Sequence, residues 1–371
     1  MKTLSWNIRG LGQKSKRDTV RDFSTKLSPS ILALTETKQP APTLQSVHSV
    51  WARGPCQWVS LPAKGSSCRI WVVWNPIEYN LLSSHIGDFL VTVLSRTTNG
   101  ALIKFSSIYG PNSASLCPQL WSELDLVAAL PHSAWFLGGD FKITRWSHER
   151  NLNTNISQGM LDFSDFISCH ELVDIPTQGN AFTWSNHFAQ PSLAKLDRFL
   201  LSLDWEVAFP DSHALTLPKP TSDHCPILLD TQAFSRWPKP FRFELAWLEE
   251  QSLVTLIPIW WNSFSSQVSG REGFKLQTKI QLLKKSLKNW RQSRLGNYFQ
   301  LKTSWINCIQ DLDKIEEVRP LSDFEEQLRT QSKLKYLATL KKEELFLVPE
   351  IPGEMVNKSR GPEHCLLSLC S

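Results

Sequence analysis

Leu137-Gly138-Gly139-Asp140-Phe141-Lys142 reads as the end of a buried strand opening into a polar loop, and the other chemically suggestive stretches arrange themselves around it. The preceding run Ala134-Trp135-Phe136-Leu137 has the length and residue types of a strand covered on both faces. Two glycines follow, where the backbone must bend or be closely approached. In an extended chain, side chains two apart point the same way. Asp140 and Lys142 are therefore expected on one side, with Phe141 turned into the core, so that a carboxylate and an ammonium share one small site.

Outward from this stretch, the first two thirds of the chain is a succession of short apolar runs, each stopped by a polar residue. Residues 3–6 end at Asn7, before a turn at Arg9-Gly10-Leu11-Gly12, and residues 31–34 end at Thr35-Glu36. A strand over 67–74 closes at Asn75-Pro76; residues 89–95 and 101–108 pair across Thr97-Thr98-Asn99-Gly100, the second ending at Tyr109-Gly110-Pro111. Short strands are expected at 182–184, 196–200 and 226–230, the last preceded by Ser222-Asp223-His224. Helices are expected over 16–27, 116–130 and 160–172.

At 371 residues the chain suits one large domain with an appendage, or two domains. Its formal charge is +5, and the excess of Lys and Arg lies wholly after residue 230. The eight cysteines show no Cys-x-x-Cys pair and no grouping with histidine at zinc spacing, which argues against a disulfide framework or structural zinc. No apolar run approaches the ~18 residues of a membrane span, and no signal-type segment opens the chain, so a soluble, intracellular protein is expected.

Asn7, Glu36, Tyr109, Asp140 and His224 each stand at a strand boundary. In mixed α/β sheets such residues can collect along one edge, where loops form a ligand crevice. Carboxylates with an amide suit a hard cation such as Mg²⁺, and an aspartate and a histidine beside it could orient water and offset charge on phosphorus. Metal-assisted phosphodiester hydrolysis fits this set. Acyl transfer fits worse, for there is no Gly-x-Ser-x-Gly elbow, and a Gly-x-x-x-x-Gly-Lys-Ser/Thr phosphate loop is absent.

Trp6-Asn7-Ile8-Arg9-Gly10, Thr35-Glu36-Thr37, Ile108-Tyr109-Gly110-Pro111, Gly138-Gly139-Asp140-Phe141, Phe182-Thr183-Trp184-Ser185-Asn186, Leu196-Asp197-Arg198-Phe199-Leu200 and Ser222-Asp223-His224-Cys225-Pro226-Ile227 follow one another along the chain. In this order they resemble the endonuclease/exonuclease/phosphatase superfamily and, more narrowly, the apurinic-type endonuclease domain of plant non-LTR (LINE-like) retrotransposons. The resemblance covers residues 1–230. It implies an α/β fold, a four-layer sandwich with two central mixed β-sheets flanked by helices, followed here by an α-helical segment. It further implies DNA as partner, nicking of one strand to leave a 3′-hydroxyl, and Mg²⁺ as cofactor with Mn²⁺ as substitute. Glu36 would be the main metal ligand, with Asn7 and Asp223 completing the surroundings. Tyr109 would contact the scissile phosphate, Asp140 would orient or deprotonate water, and His224 would meet phosphate oxygens, held in its tautomer by Asp197. Arg9, Phe182 and Trp184 would bind substrate. Nuclear residence follows from a DNA substrate.

Two departures from the pattern stand out. The family's Gly-Asp-Phe-Asn has Lys142 in its last place, and lysine offers only donors and a charge where asparagine offers a donor and an acceptor. Ser67-Cys68-Arg69 stands where plant relatives carry a Gly-Gly pair, which reshapes a loop beside the site.

After residue 230 the character changes. Ser235-Arg236-Trp237-Pro238-Lys239-Pro240 reads as a hinge. Apolar helical faces follow at Leu276, Ile280, Leu283, Leu287 and Trp290, at Leu301, Trp305, Ile309, Leu312 and Ile315, and between about residues 324 and 346. Between Arg271 and Lys302 nine basic residues stand against Glu272 as the only acid, a face that suits nucleic-acid backbone or plain solvent. Residues 231–348 are read as a helical connector and 349–371 as a disordered tail. With no adjacent pair of aspartates for a polymerase Tyr-x-Asp-Asp motif, the chain is expected to be a retroelement protein truncated before its reverse transcriptase. Three functions stay open: a DNA-nicking endonuclease, an inactive remnant that binds nucleic acid, and a phosphatase of the same superfamily.

Overall fold

The computed structural model describes residues 1–39, 41–61, 70–130, 133–152, 155–186, 188, 190–232, 251–265 and 272–347. Ser67-Cys68-Arg69, the hinge at 235–240 and the tail at 349–371 lie outside these residues.

The chain opens with β1 (Lys2–Asn7), α1 (Lys14–Leu27), β2 (Ile31–Thr35), α2 (Leu44–His48), β3 (Gln57–Leu61) and β4 (Ile70–Trp74). A hairpin series follows: β5 (Tyr79–Ile86), β6 (Leu90–Thr97) and β7 (Leu102–Tyr109), then α3 (Cys117–Ala128) and β8 (Ala134–Asp140). Next come α4 (Gln158–Cys169), β9 (Val173–Asp174), β10 (Thr177–Gln178), β11 (Trp184–Ser185), β12 (Leu193–Ala194) and β13 (Asp197–Leu201). Then α5 (Leu203–Ala208), β14 (His213–Thr216) and β15 (Ile227–Asp230) complete the sheets. Three helices close the chain: α6 (Gln251–Phe264), α7 (Glu272–Val318) and α8 (Asp323–Leu347).

Two mixed sheets form, one of order β10-β14-β15-β1-β2-β4-β3 and one of order β5-β6-β7-β8-β13-β9. Strand periodicity explains why they stack. In β2, Ile31 and Ala33 enter the core shared with Phe105, Phe136 and Phe199 of the other sheet, whereas Leu32 and Leu34 face α1 and α2 with Val20, Phe23 and Val47. On the far side, Leu137 and Leu200 pack on Leu120, Leu124, Phe163 and Phe166 of α3 and α4. The result is the expected four-layer α/β sandwich with flanking helices, followed by α-helices.

Topology then decides where the chemistry lands. β1 runs parallel to β2, and β7 parallel to β8, so Asn7, Tyr109 and Asp140 end their strands on one edge, with Glu36 just beyond β2. β13 and β15 run antiparallel to β8 and β1, so their starting ends, with Asp197 opposite Asp140 and His224 just before β15, arrive at the same edge.

At the opening stretch the strand runs through both glycines to Asp140 instead of yielding to a loop. A Cβ on Gly138 would lie 2.4 Å from the Phe199 ring, and Gly139, at φ +145, would place one 2.1 Å from the Ile108 carbonyl oxygen. Close approach by neighbours, and not a bend, is what the glycines serve.

One compact unit takes in Met1–Lys239 together with Leu295–Leu340. Polar anchors tie these helices down. Asp22 of α1 holds Lys302 Nζ at 2.9 Å through Oδ1 and accepts from the Tyr336 hydroxyl at 2.6 Å through Oδ2, with Lys26 Nζ 2.7 Å from the same oxygen. Burial disfavours the charge on Asp22, yet Lys26 and Lys302 outweigh it and hold the carboxyl below its usual range. Ile309 and Leu312 are buried as their periodicity implies, while Leu301 is exposed and its neighbour Lys302 buried. In the second unit Leu253 packs with Leu287, flanked by Ile257, Trp260, Leu283 and Trp290; Leu276 and Ile280 are exposed.

Candidate active site

Asp140 ends its strand fully buried. Its Oδ1 accepts the Lys142 backbone N–H at 2.9 Å, a turn in which Lys142 takes φ 59. Asp140 and Lys142 do share a side and Phe141 does enter the core, but through this left-handed turn and not through extended chain. Oδ2 accepts from Asn7 Nδ2 at 2.8 Å and pairs with Lys142 Nζ at 2.9 Å. The Lys142 ammonium also lies 4.9 Å from the Tyr109 ring centroid.

His224 sits beside this group, buried between two carboxylates. Its Nδ1 is 2.8 Å from Asp197 Oδ2, and its Nε2 is 3.7 Å from Asp140 Oδ2 and 3.4 Å from Asn7 Nδ2. Burial disfavours the imidazolium, but Asp197 and then Asp140 outweigh it and raise the His224 pKa. Burial also raises Asp197, only partly offset by His224. For Asp140 the balance tips the other way: burial is outweighed by His224, Lys142 and the Asn7 hydrogen bond, and its pKa is held low.

A second cluster adjoins the first. Arg9 contacts Asp223 Oδ2 through Nη1, lies 3.6 Å from Glu36 Oε1 through Nε, and donates its backbone N–H to Asn7 Oδ1 at 3.2 Å. Lys38 Nζ is 3.2 Å from Glu36 Oε1, and the Tyr109 hydroxyl donates to Glu36 Oε2 at 3.4 Å. The Trp184 indole donates to Asp223 Oδ2 at 2.9 Å. Burial opposes ionisation of Asp223, yet His224 and Arg9 hold its pKa low. Arg9, Glu36, Lys38 and Lys142 all adopt left-handed φ, between 50 and 59, a costly conformation that concentrates at functional sites.

The structure thus gathers Asn7, Arg9, Glu36, Tyr109, Asp140, Lys142, Trp184, Asp197, Asp223 and His224 into one connected group. Phe182 stands apart from it: its backbone N–H donates to Glu317 and its carbonyl accepts from the Cys225 thiol. Three participants were given no role by the sequence, although Thr183 and Ser222 stand inside quoted motifs. Lys38 stands two residues after Glu36, a spacing that could have marked it. Thr183, inside a quoted motif, accepts the backbone N–H groups of Leu196 and Asp197 through Oγ1 at 3.0 and 2.9 Å. Ser222 donates to the Asn7 carbonyl at 2.7 Å and accepts the His224 N–H at 3.2 Å, fixing the loop that carries the imidazole.

Two donor sets could hold a metal ion. Asp140, Asp197 and His224 offer one atom each, all within 4.8 Å of one another. In that set the imidazole is already committed to the two carboxylates. Glu36 Oε1 and Asp223 Oδ2 instead both face the Arg9 guanidinium, while Asn7 Oδ1 accepts the Arg9 backbone N–H, and an all-oxygen set is what a hard cation prefers. The donor chemistry of Asn7, Glu36 and Asp223 suits a divalent ion, which would have to displace the guanidinium.

Fold and site together define an α/β-sandwich protein with an acidic, imidazole-bearing centre at the shared edge of its two sheets. Residues 4–224 match the Endonuclease/Exonuclease/phosphatase family, and the chain belongs to that family. Among solved structures it is similar to the 3′-5′ exonuclease (NExo) of Neisseria meningitidis, at 16% identity over 62% of this chain and 99% of that one, TM-score 0.49. An AP endonuclease from Archaeoglobus fulgidus is similar at 14% identity over 62% and 98%, TM-score 0.49. So is the endonuclease domain of TRAS1, a telomere-specific non-LTR retrotransposon, at 12% identity over 63% and 99%, TM-score 0.47. A search of curated protein sequences returns no match.

Proposed function

We propose that the chain carries a Mg²⁺-dependent site for hydrolysing DNA phosphodiesters, of the retroelement endonuclease type, and that Lys142 holds it in a weakened state. Residues 1–230 are then the catalytic domain, and nuclear residence is a corollary. The observation that carries the reading is the buried imidazole of His224, fixed by Asp197 at 2.8 Å with Nε2 turned toward Asp140. An imidazole whose pKa is raised by two carboxylates keeps its proton to higher pH than a free imidazole, and in its protonated form can donate to a phosphate oxygen. In this reading Asp140 would orient water against phosphorus, and the partly exposed Tyr109 and Arg9 would meet phosphate oxygens. Asn7, Glu36 and Asp223 would hold the ion, which when bound offsets charge building on phosphorus.

Lys142 interferes with two of these roles. Its ammonium occupies Asp140 Oδ2, where Asn7 already donates, so little acceptor capacity is left for water. It also depresses a carboxyl that must accept a proton or orient one. This ion pair favours a second reading, in which the native chain binds DNA without cutting it.

A supercoiled-plasmid nicking assay with Mg²⁺ separates the two. Lys142→Asn is expected to nick on the order of 10²-fold faster than the native chain, since displaced charge at a site costs about that much. Glu36→Ala in the Lys142→Asn background should abolish nicking. Equal rates for the native chain and Lys142→Asn would remove the inhibitory role of Lys142. Absence of nicking in every variant, with salt-dependent DNA binding retained, would leave only the binding reading.

A further inference from the structure

The C-terminal end of α7 meets the two loops that carry the site. Glu317 Oε1 accepts the Phe182 backbone N–H at 3.1 Å, and the carboxylate also takes a hydrogen bond from the Ala181 backbone. Residues 181 and 182 precede β11 and have no strand partner there, so these N–H groups need an acceptor from elsewhere. Asp313, one turn back, and the adjacent Glu316, 2% and 4% exposed, face Lys219 Nζ at 4.0 and 3.9 Å. Arg329 of α8 lies 2.9 Å from Glu316 Oε1.

Both loops continue directly into the site. From the first, Thr183 Oγ1 holds the backbone of Asp197, and the Trp184 indole reaches Asp223. The second runs from Lys219 to Ser222, Asp223 and His224. The loops are also bonded to each other, Cys225 N–H to the Thr183 carbonyl at 2.7 Å and Ser185 N–H to the Asp223 carbonyl at 3.2 Å. The helix end therefore touches the site through backbone that the two loops share.

Stability alone does not account for this arrangement. Burying four charged side chains costs desolvation, and apolar residues of similar volume would hold two helices as well or better. An apolar helix face tolerates a slip of one turn, whereas a slip here would part Arg329 from Glu316 at 2.9 Å, Lys219 from Asp313 and Glu316 at 4.0 and 3.9 Å, and Glu317 from the Phe182 N–H. The charged contacts thus specify where the helix end stands relative to the loops.

We propose that Glu317 is a positioning residue of the phosphodiester site: by capping the backbone at 181–182 it keeps Trp184 on Asp223 and Thr183 under Asp197. Residues 295–340 are then a working part of the site and not a spacer after it. The proposal rests on the reading of the site given above, and its test keeps the two apart.

In the full chain, Glu317→Ala and Glu317→Gln are compared, with exposed Lys314→Ala as a control for perturbing the helix end. Thermal melts first establish that each variant folds. Amide exchange at Phe182 and the indole ¹⁵N–¹H resonance of Trp184, assigned with Trp184→Phe, are then measured. Glu317→Ala should speed Phe182 exchange about tenfold or more, the loss of one charge-assisted hydrogen bond, and shift the Trp184 indole. Glu317→Gln, which keeps an acceptor, and Lys314→Ala should leave both close to native. In the Lys142→Asn background Glu317→Ala should lower kcat while leaving KM for an oligonucleotide duplex nearly unchanged. Unchanged Phe182 exchange in Glu317→Ala overturns the proposal, and so do equal effects of Ala and Gln. Should Glu317→Ala not fold, native-like exchange in Glu317→Gln upholds the proposal and native-unlike exchange overturns it. If no variant nicks DNA, the hydrolytic reading fails while exchange and resonance still decide the role of Glu317.

Discussion

The Lys142 ammonium lies 2.9 Å from Asp140 Oδ2, with 18% of its side chain exposed and Asp140 fully buried. Burial disfavours the charge on Lys142, but Asp140 outweighs it and raises its pKa, so the ammonium persists. Around it, Arg9 and Lys38 add positive charge against Glu36, Asp197 and Asp223. A site neutralised from within has less electrostatic need of a dication.

Removing that built-in cation should therefore strengthen metal binding. Mg²⁺ is expected to raise the melting temperature of Lys142→Asn more than that of the native chain. At tenfold excess over Kd the gain is about 1.4 kcal/mol, a few degrees for a protein of this size. Differential scanning fluorimetry across a Mg²⁺ series measures it, and equal shifts in both proteins would contradict the charge argument.

Asp197 fixes and charges the imidazole, so Asp197→Asn should cost hydrolysis about 10²–10⁴-fold in the Lys142→Asn background. The pH dependence has a definite sign. Because Asp197 and Asp140 raise the His224 pKa, the protonated form persists to higher pH than for a free imidazole. Losing the Asp197 charge lowers that pKa and should move the alkaline limb of the rate profile to lower pH. An unmoved limb would mean that the profile reports another group.

Asp22 tests the anchoring of the C-terminal helices. Its folded pKa is depressed, so its contribution is fully present above the unfolded value of about 3.9 and is lost as pH falls through the folded value. Asp22→Asn should cost about 3 kcal/mol at neutral pH, since it leaves Lys302 and Tyr336 without the carboxylate, and should flatten the acid side of stability against pH. Urea midpoints at neutral and acid pH give both quantities. Parallel curves for the two proteins would contradict the assignment.

Gly139→Ala should cost about 2 kcal/mol or more, combining strain at φ +145 with a Cβ placed 2.1 Å from the Ile108 carbonyl. Gly100, at φ +89 with open space around it, serves as the comparison: its alanine variant carries the conformational cost alone, about 1 kcal/mol. Urea unfolding of both variants reads the difference, and equal costs would mean that the β7–β8 approach yields to a methyl group.

Much of the fold was legible because its signals are local. Short apolar runs with polar ends marked the strands that end at Asn7, Tyr109 and Asp140, and the unbroken run Ala134–Leu137 implied a strand covered on both faces. Ten of eleven expected site residues meet in one group, with Phe182 left out, because β1, β2, β7 and β8 end at one edge and the antiparallel β13 and β15 begin there. Residue chemistry alone also flagged Lys142, though its left-handed turn came from a hydrogen bond to Asp140 and not from strand alternation.

What lay beyond reading depends on contacts far apart in the chain. Lys302 and Tyr336 look like ordinary members of a solvated helix until Asp22 meets them, 280 and 314 residues away in sequence. Asp313, Glu316 and Glu317 resemble a plain acidic helix end until Lys219 and the Phe182 backbone arrive. A charge shows in sequence but its partner does not, and burial of both is settled only when the chain is packed. Residues 134–142 could thus announce a carboxylate site, while the identity of the groups that neutralise, orient and brace it was a matter of packing.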